Sequence, residues 1–552
     1  MVRVEGGVVE ELRPIEDVAR DLGLEPGEVE PWGRGVAKVD PRPVLERAAG
    51  RGRLVLVTAI TPTAHGEGKT TVLLGLVQAL RRLGARACGA LRQPTLGPVF
   101  GLKGGGNGGG RSQVVPRDRF DLHLTGDSHA VQAAHNLAAA FLDEHLHRGG
   151  PLAIDPATVS WPRALDLCDR ALRRTVVGLG PAAGPAREVP WVITAASEVM
   201  AVLALARDAA DLRARLGRIV VARRRRDAGG GEVTLEDLRV AGAMAALLRD
   251  AARPNLLQTA EGAPVLAHAG PFANVAHGCS SVLADRIGLA LADWVITEAG
   301  FGADLGAEKF FDIVCRQAGL GCAAAVVVAT ARALEAHGAA PGLSQADAVR
   351  RGAANLAHHV AAVRRFGVPV VVAVNAFAGD RREVLDLVAE AGLAAGAFAA
   401  VPCRPFDEGG AGCEELARAL LAAGEAGPVT PAFLYADDLP LARKLEAIAT
   451  VMYGADGVDL APAAARAVAR LERDGHGGLQ PCVAKTPLSL GHDPTWGGLP
   501  RPFRLPIREV LLQAGAGLVT AVAGDLSLMP GLPARPRGEA VDVDADGTIT
   551  GL

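Results

Sequence analysis

Seven aliphatic runs, each about one strand long, constrain this chain more than any other feature. They are LVLVTAI at 54, WVITAA at 191, RIVVA at 218, DWVITEA at 293, AAVVVAT at 324, VPVVVAVN at 368 and AFAAVP at 397. None alternates apolar with polar residues, so each predicts a strand buried on both faces. Alanine-rich segments with helical spacing separate most of them, and strands spaced by helices predict a mainly parallel sheet covered on both sides. With 552 residues the chain exceeds one core, so two or three domains are expected. The borders read as 1–360 for a large α/β domain, 361–499 for a second α/β domain, and 500–552 for a Pro- and Gly-rich C-terminal segment, the smaller C-terminal parts being α/β and β-rich. That segment closes on DVDADGTIT, where Asp546-Gly547 signals a hairpin turn.

The charge pattern excludes several classes of function. Net charge is -3, and the one basic run, Arg223 to Arg226, leads straight into Asp227 and glycines, so it reads as a solvated turn and no nucleic-acid partner is expected. No apolar stretch is long enough to span a bilayer, and the acidic N-terminus lacks a secretory signal, so a cytoplasmic protein without a membrane role is expected. Eight cysteines include no CxxC pair, which suggests neither zinc nor a disulfide framework. Of 58 basic residues only six are lysine: Lys38, Lys69, Lys103, Lys309, Lys444 and Lys485. Such sparing use points to positions that need a compact ammonium in place of a planar guanidinium.

The first run leads into TPTAHGEGKTT and then a helix predicted over 70–83. Strand, Gly-containing loop and helix in that order suit phosphate binding, and imply a P-loop NTPase-like sheet in the N-terminal domain. The contributing residues are Thr63, Ala64, His65, Gly66, Glu67, Gly68, Lys69, Thr70 and Thr71. Gly66 and Gly68 let backbone N–H groups curl round an anion, Lys69 reaches outer phosphates, and the Thr70 hydroxyl suits magnesium held with a nucleotide. Thr63 occupies the place of the first glycine in the strict motif. An ordinary helix cap at a strand-to-helix turn is the bland alternative.

A second constellation is LRQPTLGPVFGLKGGGNGGGRSQ, starting at Leu91. Many glycines between cations make an anion cradle of Arg92, Lys103, Gly104, Gly105 and Arg111. Gly104, Gly106 and Gly109 also satisfy GxGxxG, a dinucleotide signal that no clean preceding strand supports. DLHLTGDSHA then sets Asp127 between His123 and His129, where acid-base work is possible and metal ligation is poorly spaced.

Taken with NLLQTAEGAP, GPFANVAHGC, VITEAGFGADLGAEKFFDIVCR, YGADGV, CVAKT and LSLMPGLPARP, these blocks resemble the formate-tetrahydrofolate ligase family from about residue 30 onward. All six lysines fall within blocks that resemble family motifs. The resemblance implies formate, ATP and tetrahydrofolate as substrates, 10-formyltetrahydrofolate as product, and formyl phosphate between them. It also implies magnesium, a monovalent cation such as potassium or ammonium, and a homotetramer. Lys69, Arg92 and Asp127 would be catalytic, Arg92 would hold formate and then formyl phosphate, and Phe377 and Phe406 would stack on the folate ring. Gln93, Arg111 and Phe406 stand where the family carries glutamate, tyrosine and tryptophan. A regulatory P-loop ATPase and a catalytically weakened paralogue are the alternatives.

Overall fold

The computed structural model describes residues 2–3, 9–10, 12–48, 50–63, 66–101, 104–500, 502–524 and 526–552. Seven parallel strands form its centre: β1 (Arg53–Ala59), β2 (Ala87–Leu91), β3 (Pro264–Ala267), β4 (Trp294–Glu298), β5 (Ala324–Ala329), β6 (Val370–Asn375) and β7 (Ala399–Cys403). Their spatial order is β7-β6-β5-β1-β4-β2-β3, and antiparallel strands beyond β3 extend the sheet to twelve. β1, β4, β5 and β6 are buried almost throughout, as their uninterrupted aliphatic character requires.

The α/β class and the parallel sheet follow the sequence reading, but several details differ. β6 and β7 belong to the large sheet, so the border expected at 360 falls between strands of one sheet. A smaller four-stranded sheet collects β8 (Val458–Leu460), β9 (Gln480–Ala484), β10 (Leu505–Gln513) and β11 (Leu518–Ala523), in the order β8-β10-β11-β9. The C-terminal segment 500–552 supplies two of its strands. WVITAA and RIVVA yield only short strands paired outside the large sheet, Trp191–Ile193 with Arg163–Leu165 and Val220–Arg223 with Glu232–Thr234. The terminal hairpin forms as its turn signal requires, pairing Asp542–Val543 with Ile549–Thr550. Among the described residues no helix is long and apolar enough to cross a membrane.

The rare lysines share one structural role. Lys38, Lys309, Lys444 and Lys485 are fully buried, and each ammonium gathers backbone carbonyls. Lys309 donates to Ala273 and Ala276, Lys444 to Gly477 and Leu479, and Lys485 to Thr486 and Ser489. Lys38 donates to the Arg253 carbonyl at 2.9 Å and to Asp127 Oδ1 at 2.7 Å. Three donors on one small head suit converging carbonyls in a closed space, whereas a guanidinium fork would need a wider one. Burial pushes the Lys38 and Lys485 pKa values below the ordinary lysine range, and the neighbouring carboxylates of Asp127 and Asp304 oppose that shift.

Candidate active site

The functional candidates gather where parallel strands end at their carboxyl edge, the usual binding crevice of an open α/β sheet. The loop before α1 (Lys69–Arg82) follows β1, Arg92 follows β2, and Glu298 closes β4, which lies between those two strands. Thr330 follows β5, Asn375 closes β6 with Phe377 two residues on, and Phe406 follows β7.

The loop is braced from within by Glu67. One of its oxygens accepts from the Thr63 N–H at 2.9 Å and the Thr63 hydroxyl at 3.2 Å, and the other accepts from Thr330 at 2.7 Å. Asn375 Nδ2 donates to the Glu67 carbonyl at 3.0 Å. Glu67 is therefore an internal strut, and Thr63, standing in place of glycine, earns its position by binding it. Gly68 takes a left-handed φ of +72°, and a Cβ there would come 2.5 Å from Asn375 Nδ2, so glycine is required twice over. Ala64 and His65 lie outside the described residues. Thr71 opens α1 beside the glycine-rich segment, with its hydroxyl 4.0 Å from where a Gly109 Cβ would stand.

Glu298 joins the two halves of the site. Its Oε2 accepts from the Thr70 hydroxyl at 3.0 Å, while its Oε1 faces Arg92 Nε at 3.3 Å and the Arg92 backbone N–H at 3.4 Å. Burial brings the Lys69 pKa down to about 8; Glu298 opposes that shift, and Arg92 adds to it. The Lys69 residue as a whole is half-buried. A Cβ on Gly300 would lie 2.8 Å from Arg92 Nη1, so glycine there leaves the guanidinium its space.

The glycine-rich segment is anchored by Asp121, whose Oδ1 accepts from the Gly106 N–H at 2.8 Å. Burial pushes the Asp121 pKa up to about 6, with Arg117 pulling the other way. Gly104 and Gly105 lie in the described part of the segment, and Lys103 falls outside the described residues. The Arg111 N–H donates to the Phe406 carbonyl at 2.9 Å, which ties the segment to the end of β7. Phe406 is 44% exposed, so its ring is available to a ligand. Phe377 already carries the Arg332 guanidinium 3.6 Å from its ring centroid. Gln93 is buried, and its backbone N–H donates to Ala269.

Asp127 sits in the kind of hydrogen-bonded setting that its sequence neighbourhood favours over metal ligation. It is buried, paired with Lys38, and accepts from Asn255 Nδ2 at 2.7 Å and Thr125 at 3.0 Å. That arrangement ties the start of the helix Asp127–Arg148 to the antiparallel edge of the sheet. Glu298, Asn375, Thr330 and Asp121 escaped the sequence reading as site residues. For Glu298 the signal was present: an acid ending an otherwise aliphatic, fully buried strand. The other three bond across the fold, which no local pattern reveals. Among the described residues, no cluster of three His, Cys, Asp or Glu side chains is placed to hold a metal ion.

Comparison with known proteins gives the same answer over the whole chain. The family described as formate-tetrahydrofolate ligase matches residues 5–552. The formate-tetrahydrofolate ligase of Roseiflexus sp. (strain RS-1) is 54% identical, the alignment covering 98% of each chain. That of Acidiphilium cryptum (strain JF-5) is 52% identical over 98% of each chain, and that of Methylobacterium nodulans 50% identical over the same shares. With a sheet edge that assembles the motifs of that family and full-length identity at this level, the chain belongs to the formate-tetrahydrofolate ligase family.

Proposed function

We propose that this chain ligates formate to tetrahydrofolate at the expense of ATP, giving 10-formyltetrahydrofolate, ADP and phosphate through formyl phosphate. The observation that supports it best is the meeting of Lys69, Thr70 and Arg92 around Glu298. Two anions, a nucleotide phosphate and a carboxylate, must be held together for such a reaction, and two cations stand there on either side of the end of β4. Phosphoryl transfer depends mainly on positioning and charge stabilisation, which this arrangement supplies.

In the first step a formate oxygen attacks the terminal phosphorus and ADP departs. Residues 63–71 cradle the phosphates, Lys69 stabilises charge on the transferred group, and Arg92 orients formate and then the acyl phosphate. Gly104, Gly105 and Arg111 would contribute to the same cradle, to which the sequence adds Lys103. In the second step the folate nitrogen attacks the formyl carbon, inorganic phosphate leaves, and the nitrogen loses its proton. Phe406 and Phe377 offer stacking faces for the folate ring. Asp127 enters the scheme by position, through its pairing with Lys38.

Magnesium fits as the nucleotide's own ion: the Thr70 hydroxyl and the Glu298 oxygen 3.0 Å from it are hard oxygen donors of the kind it prefers. It would neutralise phosphate charge. A monovalent cation, a homotetrameric assembly and a cytoplasmic setting belong to the proposal through the family resemblance alone. The acyl phosphate route is tested with formate carrying isotopically labelled oxygen. Label should appear in the inorganic phosphate, and phosphate free of label would contradict the route.

A further inference from the structure

Glu298 is placed to do more than brace the site. It ends the strand that separates the phosphate loop from Arg92, and its two oxygens divide between them: Oε2 to Thr70, Oε1 to Arg92. Its side chain is 5% exposed, so water offers little alternative to those two partners. A single negative charge is thus shared by two half-sites.

We infer that Glu298 is a positioning residue that couples the half-sites, so that an anion on Arg92 tightens the binding of a magnesium nucleotide on Thr70 and Lys69, and the reverse. The inference rests on the proposed function above. A carboxylate bound to Arg92 neutralises the guanidinium and relaxes its claim on Oε1. The full charge of Glu298 then serves the magnesium side, where the Thr70 hydroxyl and Oε2, 3.0 Å apart, would be the oxygens available to the ion. The effect must be equal in both directions, because coupling between binding sites is reciprocal.

The full-length chain is titrated calorimetrically with Mg-ADP, with and without saturating formate, as wild type, Glu298→Gln, Glu298→Asp and Thr70→Val. In the wild type, formate should tighten Mg-ADP by roughly 5-fold or more, the lower end of typical coupling factors. Glu298→Gln removes the shared charge and should bring the factor below about 2-fold. Glu298→Asp keeps the charge but is too short to reach both partners, and should fall as far. Thr70→Val should also abolish the coupling while formate binding persists. Circular dichroism of each variant reports whether it folds, and any one folded variant suffices for the test. A wild type that binds Mg-ADP with no response to formate would overturn the inference, as would Glu298→Gln with its coupling intact. A wild type that binds no Mg-ADP would instead overturn the proposed function.

Discussion

Replacing Lys485 by methionine isolates the role of the buried lysines. Lys485 Nζ lies 2.8 Å from Asp304 Oδ2, with side-chain exposures of 0% and 1%. It also donates to the Ser489 and Thr486 carbonyls at 2.6 and 3.2 Å. Methionine fills similar volume but leaves Asp304 as a buried, uncompensated charge. Breaking a buried pair from one side costs about 3–5 kcal/mol, whereas replacing both members is often near neutral. Lys485→Met should therefore lower the unfolding free energy by about 3–5 kcal/mol, and adding Asp304→Asn should restore at least about 2 kcal/mol. Urea unfolding, followed by tryptophan fluorescence and circular dichroism together, supplies the midpoints and slopes. If Lys485→Met alone stays within about 1 kcal/mol of wild type, the pair is screened and the reasoning about compact buried ammonium groups fails.

Four further outcomes follow from the same geometry. Lys69→Arg should lose most turnover with an unchanged circular dichroism spectrum, because the guanidinium is too wide for a loop closed by Glu67 and Asn375; near-normal turnover would sink that argument. In the wild type, Lys69 loses its charge as pH rises through about 8, so Mg-ADP affinity should weaken between pH 7 and 9, by calorimetry. Glu198 is buried with its pKa pushed up to about 8, and Oε1 accepts from the Gly515 N–H at 2.8 Å. A folded pKa above the unfolded value gives stability that is fully present at acid pH and lost as pH rises through about 8. Glu198→Gln should then remove about 2–3 kcal/mol of the stability otherwise lost between pH 6 and 9, and an unchanged pH slope would contradict it. Phe406→Ala should raise the KM for tetrahydrofolate roughly 2- to 10-fold and leave that for formate unaltered; equal effects on both would remove Phe406 from the folate subsite.

Much of the fold was legible because buried parallel strands leave a plain signature. LVLVTAI, DWVITEA, AAVVVAT, VPVVVAVN and AFAAVP all became neighbours in the large sheet within a residue or two of their expected limits. β2 was missed because ACGAL carries glycine and alanine in place of branched residues, although every position in it is buried. The C-terminal part reads as β-rich, but dense prolines on either side hid where β10 and β11 run. Local pattern locates strands but does not say which sheet they join, so it gave no sign that β6 and β7 share a sheet with β1. At the site, Lys69, Thr70 and Arg92 could be named from loop chemistry, because their surroundings are contiguous in sequence. Glu298 carried one local signal, an acid ending a buried aliphatic strand, but its role arises from contacts 228 and 206 residues away. Asp127 shows the opposite limit, as its polar neighbourhood in sequence gave no sign that Lys38 would occupy it.

The most direct test of the central claim is formation of product. Purified chain receives ATP, magnesium, formate and tetrahydrofolate, each omitted in turn, and the absorbance of the methenyl derivative is read after acidification. The account predicts a signal that requires all three substrates and disappears in Arg92→Ala and Lys69→Ala. ATP hydrolysis indifferent to formate, with no methenyl signal under any condition, would contradict it.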